Sequence, residues 1–251
     1  MSTSPRFLAA VTLIAAGTLA ACADTTGTGG SRPVSLSFST GGLTPAASAA
    51  RFAVLGAPDP LVITRAQVVL SKSELERAGV SCVGAVEADE DSCPDLKFGP
   101  MLIDLPVDAS ARTALTVTIP AGTYDEFETE IDAISSENEG RQQESAAFLA
   151  ANPNFRGVSI RVEGTYNGVP FVYTTGVEAG LELSFSPPMV VDGASNNLTV
   201  HVDMSKWFLN GSGLRIDPRT ANAGGANKSL VDENIKRSFD VFEDDDRDGR
   251  R

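Results

Sequence analysis

The sequence predicts an all-β sandwich with one short C-terminal α-helix. Three observations lead there. From Pro33 onward, short runs rich in Val, Ile, Thr and Phe alternate apolar with polar residues, the period of a half-buried strand. Gly, Pro and Asn punctuate these runs at turn-like intervals. Near the C terminus the apolar spacing changes to that of a helix.

The first strand is expected over residues 34–38, where apolar residues alternate with serine, and a longer one over 61–71. Residues 101–105 form a short strand with Asp104 facing outward. Leu115, Val117 and Ile119 alternate with threonines up to Pro120. Pro120-Ala121-Gly122 then suits a type I turn, with Pro preset at the second position and Gly at the fourth. In the next strand Phe127, Thr129, Ile131 and Ala133 share one face, and Glu126, Glu128, Glu130 and Asp132 share the other. Asp125 extends this acidity. Such a row repels itself unless it faces water, cations or a basic partner.

Residues 145–151 form a short helical insert stopped by Asn152-Pro153. Val158, Ile160, Val162 and Tyr166 make a strand. Asn167-Gly168, which favours the positive φ angles of a type I′ turn, joins it to the strand at 169–175. Leu181, Leu183 and Phe185 make another strand, closed by Pro187-Pro188, and Leu198, Val200 and Val202 one more. Trp207-Phe208 follow. Ser229 as N-cap with Asp232 three residues on resembles a capping box, and Val231, Ile235, Phe239 and Phe242 fall on one stripe of a helix over 229–242.

The N terminus has a separate texture. Arg6 precedes an apolar run of about 13 residues, shorter than the roughly 20 needed to span a bilayer. The run ends in Leu19-Ala20-Ala21-Cys22, which resembles the lipobox of bacterial lipoprotein signal peptides. The resemblance implies cleavage before Cys22, a diacylglycerol on its sulfur and anchoring by lipid. Ala23, in place of the aspartate associated with inner-membrane retention in some bacteria, favours the outer membrane. The expected organisation is a signal peptide at 1–21, a lipidated Cys22 with a flexible tether to residue 32, a β-sandwich at 33–218, and a loop, helix and acidic tail at 219–251. About ten Gly-rich tether residues reach roughly 15–20 Å.

With 33 acidic against 20 basic residues the chain carries −13, and cleavage removes only one charge, Arg6. This argues against nucleic acid, whose binding rests on Lys and Arg neutralising phosphates. Lipidation removes Cys22 from the redox count and leaves Cys82 and Cys93 as an even pair in an oxidising compartment. A disulfide between them would contribute roughly 3 kcal/mol by loop entropy.

Catalytic signatures are absent: there is no GxSxG elbow, HExxH or Walker loop, and His201 is the sole histidine. His201 reads as a partly exposed strand residue. A carboxylate-based hydrolase is the weakest alternative, because no acid pair stands out and aromatics are sparse. Asp244, Asp246, Asp248 and Gly249 match the opening D-x-D-x-D-G of a calcium loop, but the chain stops at Arg251, before the bidentate acid such loops place at their twelfth position. An acidic, disordered tail is the competing expectation.

Several motifs together resemble a group of uncharacterised bacterial lipoproteins. They are Ile119-Pro120-Ala121-Gly122-Thr123-Tyr124, the run from Arg161 to Gly168, Leu198-Thr199-Val200 through Asp203 with Trp207-Phe208, and the run from Asn234-Ile235 to Asp248-Gly249. The resemblance implies a β-sandwich of immunoglobulin- or transthyretin-like type and carries no active-site residue. The expected function is that of a non-enzymatic binding or structural module at the membrane surface, meeting an envelope protein or glycan. A calcium-dependent module is the alternative.

Overall fold

The computed structural model describes residues 30–40, 60–79, 96–108, 110–134, 142–193 and 196–249. Cys22, Cys82 and Cys93, with the signal segment and most of the tether, lie outside them. The described chain is mostly β and forms two sheets around one core.

The smaller sheet has the order β11-β10-β1-β5, built from β1 (Ser31–Thr40), β5 (Ala111–Pro120), β10 (Asn196–Val202) and β11 (Phe239–Glu243). β1 runs parallel to β10 and antiparallel to β5. The larger sheet is organised by β2 (Leu61–Arg77), which is long enough to be shared. Its first half pairs with β7 (Ile160–Tyr166) and with β4 (Met101–Leu105). Its second half pairs with β6 (Gly122–Ile131) and with β3 (Leu96–Phe98). β8 (Val169–Thr175) and β9 (Ala179–Val191) extend the two ends through β7 and β6.

Period two decides what is buried. Val34, Leu36 and Phe38 of β1 and Leu198, Val200 and Val202 of β10 meet Ala66, Val68 and Leu70 of β2 and Phe127 and Ile131 of β6 in the core. A second apolar cluster lies outside the large sheet. There helix α1 (Gln142–Ala151) sets Phe148 and Leu149 over Val69, Ile134 and Phe155. The helix stops at Asn152-Pro153 as expected, and a 3-10 turn follows over Pro153–Phe155. The Asn167-Gly168 turn takes φ of 51° and 75°, as a type I′ hairpin requires.

Three expectations are corrected. The C-terminal helix α2 covers only Lys228–Lys236 and is preceded by Asn227 rather than capped by Ser229. Val231 and Ile235 are buried on it, but Phe239 and Phe242 belong to β11. Ser238 turns the chain there: its N–H and hydroxyl both reach the Ile235 carbonyl, and its Oγ accepts the Trp207 indole N–H at 2.6 Å. Residues 239–243 then satisfy the open edge of β10, and this pairing overrides the helical spacing. Asp232 is not part of a capping box. It accepts the hydroxyls of Tyr173 and Thr175, pinning α2 to β8.

The second correction concerns Pro187-Pro188, which do not end their strand. β9 runs on to Val191, because both prolines fall in a register gap between Ser184 and Met189, where no ladder donor is needed. Third, β1 begins at Ser31, so Ser31 and Arg32 belong to the sandwich rather than the tether.

Candidate functional site

The acidic tail through Gly249 is not a loose end, which corrects the expectation of disorder. β11 delivers it onto the outer face of the small sheet. That face is a row of short polar side chains, Ser35, Ser37 and Ser39 of β1 with Asn197 and Thr199 of β10, each at most 4% exposed. They are buried because the tail covers them and because they satisfy one another. Ser35 and Ser37 bond Thr116 and Thr113 across β5 at 3.1 Å each. Ser37 Oγ donates to Asn197 Oδ1 at 2.7 Å, and Asn197 Nδ2 donates to Thr199 Oγ1 and to the Asp244 carbonyl.

Asp244 is the keystone of the tail and is itself 3% exposed. Its Oδ2 accepts Thr199 Oγ1 at 2.6 Å and the Gly249 N–H at 3.0 Å, while Oδ1 accepts the Asp248 N–H at 3.1 Å. Burial alone would push this carboxyl up, but these donors more than offset it and hold it below the usual carboxylate range. Gly249 closes the loop at φ 73°, where a Cβ would lie 2.9 Å from that of Ala111 and 3.0 Å from that of Ser39.

One carboxylate oxygen from each of Asp244, Asp246 and Asp248 falls within 4.8 Å of the others. That spread fits a calcium ion with oxygens at 2.3–2.6 Å. Asp244 Oδ2 already has two donors, so only Oδ1 retains a lone pair for a cation. Asp246 and Asp248 are exposed.

His201 lies on the same face, half-buried, with Nδ1 3.0 Å from Ser39 Oγ and Asp240 directly across the β10–β11 ladder. The residue types are those of a hydrolytic triad. Ser39, however, is 4% exposed and roofed by Gly249, whose carbonyl also accepts its hydroxyl at 3.3 Å. A substrate carbonyl has no approach to that Oγ while the tail is in place.

The acidic row of β6 has the expected geometry and gains neighbours from both sides. Glu76 and Glu74 of β2 stand opposite Glu126 and Glu128, and Glu182 of β9 stands opposite Glu128. Lys72 pairs with Glu74 at 2.7 Å and Lys97 with Glu74 at 3.4 Å. Partial burial, then Glu182 and Glu76, pushes the Glu126 carboxyl up. Burial followed by Asp132 and Glu178 does the same for Glu130.

Sequence reasoning missed a cleft of about 310 Å3 on the outer face of the large sheet. Its floor is Arg65 and Gln67 of β2 with Arg161 and Glu163 of β7, brought side by side by the Gln67–Arg161 register. Asn152, Pro153 and Asn154, at the end of α1, form a wall. Gln67 is 4% exposed, and its side-chain amide, which bonds no described residue, is not sealed from water: among the described residues the buried side-chain polar atom without a partner is Asn196 Oδ1. A same-side polar pattern was visible on each strand, Arg65 with Gln67 and Arg161 with Glu163. Nothing in the sequence shows that these two strands are neighbours.

Compared with known proteins, the chain matches no family model, no curated protein and no solved structure.

Proposed function

We propose that this chain is a cell-envelope lipoprotein, held by lipid on Cys22 with the outer membrane favoured, whose β-sandwich serves as a binding module rather than an enzyme. One observation supports binding above the others. The cleft beside α1 is lined by the side-chain amide of Gln67, which bonds no other described residue. Open to the cleft, that amide leaves two donors and an acceptor for water or for a ligand that displaces it. The immunoglobulin- or transthyretin-like type belongs to the same proposal, supported by two facing sheets of largely antiparallel strands. The anchor is tested by Cys22→Ser, which abolishes lipid labelling and detergent partitioning; membrane association that survives it refutes the anchor. Binding is tested in cells by a photo-crosslinking residue at exposed Asn154 in the anchored chain. A specific adduct is expected there and not from a control at exposed Thr123, and equal yields at both refute the reading.

The calcium-dependent alternative has the convergence of Asp244, Asp246 and Asp248 in its favour. Binding to the folded state raises the melting midpoint by mass action. A midpoint that is the same in calcium and in chelator removes this reading.

A further inference from the structure

We propose that the cleft takes a neutral, polyhydroxylated ligand, a saccharide chain, with Gln67 at its centre. This rests on the reading of the domain as a binding module and names its ligand class.

Arg65 is paired with Asp104, Nε to Oδ1 at 3.0 Å, and Arg161 is paired with Glu163. Each guanidinium in the cleft is therefore already matched by a carboxylate, and the site offers no excess charge to an anion. What remains is a dense mixture of donors and acceptors: guanidinium N–H groups, carboxylate oxygens, the amides of Gln67 and Asn154, and Asn152 Oδ1, whose amide nitrogen already donates to the Phe148 carbonyl at 3.0 Å. A hydroxyl both donates and accepts, so a row of hydroxyls is the chemistry that satisfies all of these at once. The planar, two-atom heads of Arg, Glu, Gln and Asn also match adjacent hydroxyls of a sugar ring in pairs, as Arg matches a carboxylate.

The apolar contribution is small but placed usefully. Exposed Pro153 stands at the rim, where its ring offers a surface to the C–H face of a pyranose. The volume lies at the low end of the roughly 300–1,000 Å3 typical of ligand clefts, which suits a small ligand or one end of a chain. An apolar occupant would displace the water that the Gln67 amide can bond and give no hydrogen bond in return.

The test is a titration of the full chain, followed by saturation-transfer NMR and calorimetry. The neutral probes are chitotriose and cellotriose; glucuronate and inorganic phosphate are the charged controls. A neutral trisaccharide is expected to bind. Gln67→Leu, similar in volume, is expected to weaken binding roughly tenfold without lowering the melting midpoint, since the lost amide bonds no described residue. Arg161→Gln provides a second variant with the same expected direction. No binding of either trisaccharide at ~10 mM overturns the proposal. So does binding indifferent to both substitutions, or tighter binding of glucuronate or phosphate. If the saccharides fail while crosslinking at Asn154 still yields its specific adduct, the module reading stands and only the ligand class falls.

Discussion

Replacing Asp244 by Asn isolates the charge that holds the tail on the small sheet. The substitution keeps size and shape, but one carboxylate oxygen becomes an NH2. Wherever that NH2 points, it meets a backbone N–H: that of Asp248 if it replaces Oδ1, that of Gly249 if it replaces Oδ2. One buried hydrogen bond is lost and the others lose charge assistance. Hydrogen bonds to charged groups contribute about 1.5–3 kcal/mol each, so a loss of about 2 kcal/mol is expected at pH 7. For a domain of this size that is a drop in Tm of about 4–8 °C. The sign of the pH dependence follows from the depressed carboxyl. Its stabilisation is complete above the unfolded value near 3.9 and fades as pH falls through the lower folded value. The variant should therefore lag the parent at pH 7, and the gap should close below about pH 4. Urea unfolding followed by Trp207 fluorescence is the assay, because Trp207 is the sole tryptophan and fully buried. A deficit under ~0.5 kcal/mol at pH 7, or one independent of pH, refutes the keystone role.

Two further substitutions probe the large sheet and one the hairpin. Gly164→Ala places a Cβ 2.0 Å from the Val62 carbonyl oxygen and 3.0 Å from the Phe171 ring, so a loss of at least ~3 kcal/mol in urea unfolding is expected. A near-normal midpoint would show that β2 and β7 part easily. Glu126→Gln removes a carboxylate raised by burial and by Glu182 and Glu76, whose ionisation therefore costs stability as pH rises through its folded value. The variant should melt about 1–3 °C higher at pH 7 and match the parent below about pH 4; a lower midpoint at pH 7 contradicts the repulsion. Asn167→Ala, at φ 51° in an exposed turn, should lower Tm by about 2–4 °C, and an unchanged midpoint would mean that the turn relaxes to another type.

What the sequence revealed and what it hid divide along physical lines. Period two along β1, β6, β7 and β10 identified both the strands and their inner faces, because burial of alternate residues is a local pattern. The Asn167-Gly168 turn was legible for a similar reason: the chemistry of two residues dictates it. The end of α2 was not. Phe239 and Phe242 continue the helical spacing, and only the open edge of β10, set by residues some forty positions earlier, makes a strand the better solution there. The prolines of β9 misled because their cost depends on whether a partner needs their N–H, which is a property of register. The tail gave up its residue types but not its role. Asp244 could be read as a ligand for a cation, but not as the acceptor that roofs a layer of buried hydroxyls. The cleft was invisible throughout, since it exists only where β2 meets β7 beneath the end of α1.

The long strand β2 also relates the proposed anchor to the proposed cleft. Its Arg77 end lies beside the start of the sandwich: Arg77 Nη2 donates to the Ala121 carbonyl at 3.5 Å, and the Ala121 N–H donates to Gly30 at 2.9 Å. Gln67 is about ten residues further along, or roughly 30 Å of strand. With lipid on Cys22, the end of the domain near Gly30 is the one tied to the membrane, and when the domain stands upright the cleft is held away from the bilayer by the length of the strand, with the reach of the tether in addition. At that distance a lipid headgroup of the anchoring membrane is a poor ligand, while a polymer spread through the space beyond it is within reach. The acidic row of β6 belongs to the half of β2 nearer the anchor, facing the same side of the sheet as Gln67 does from the farther half. A surface of anionic headgroups would be repelled by that row, which favours orientations that hold the domain upright. Neutralising Glu126, Glu128 and Glu130 together should therefore change how the anchored domain stands without touching the cleft. In that variant saccharide affinity is expected to be unchanged in solution, and crosslinking from Asn154 on the membrane is expected to fall. Loss of both would place the acidic row in the binding site itself.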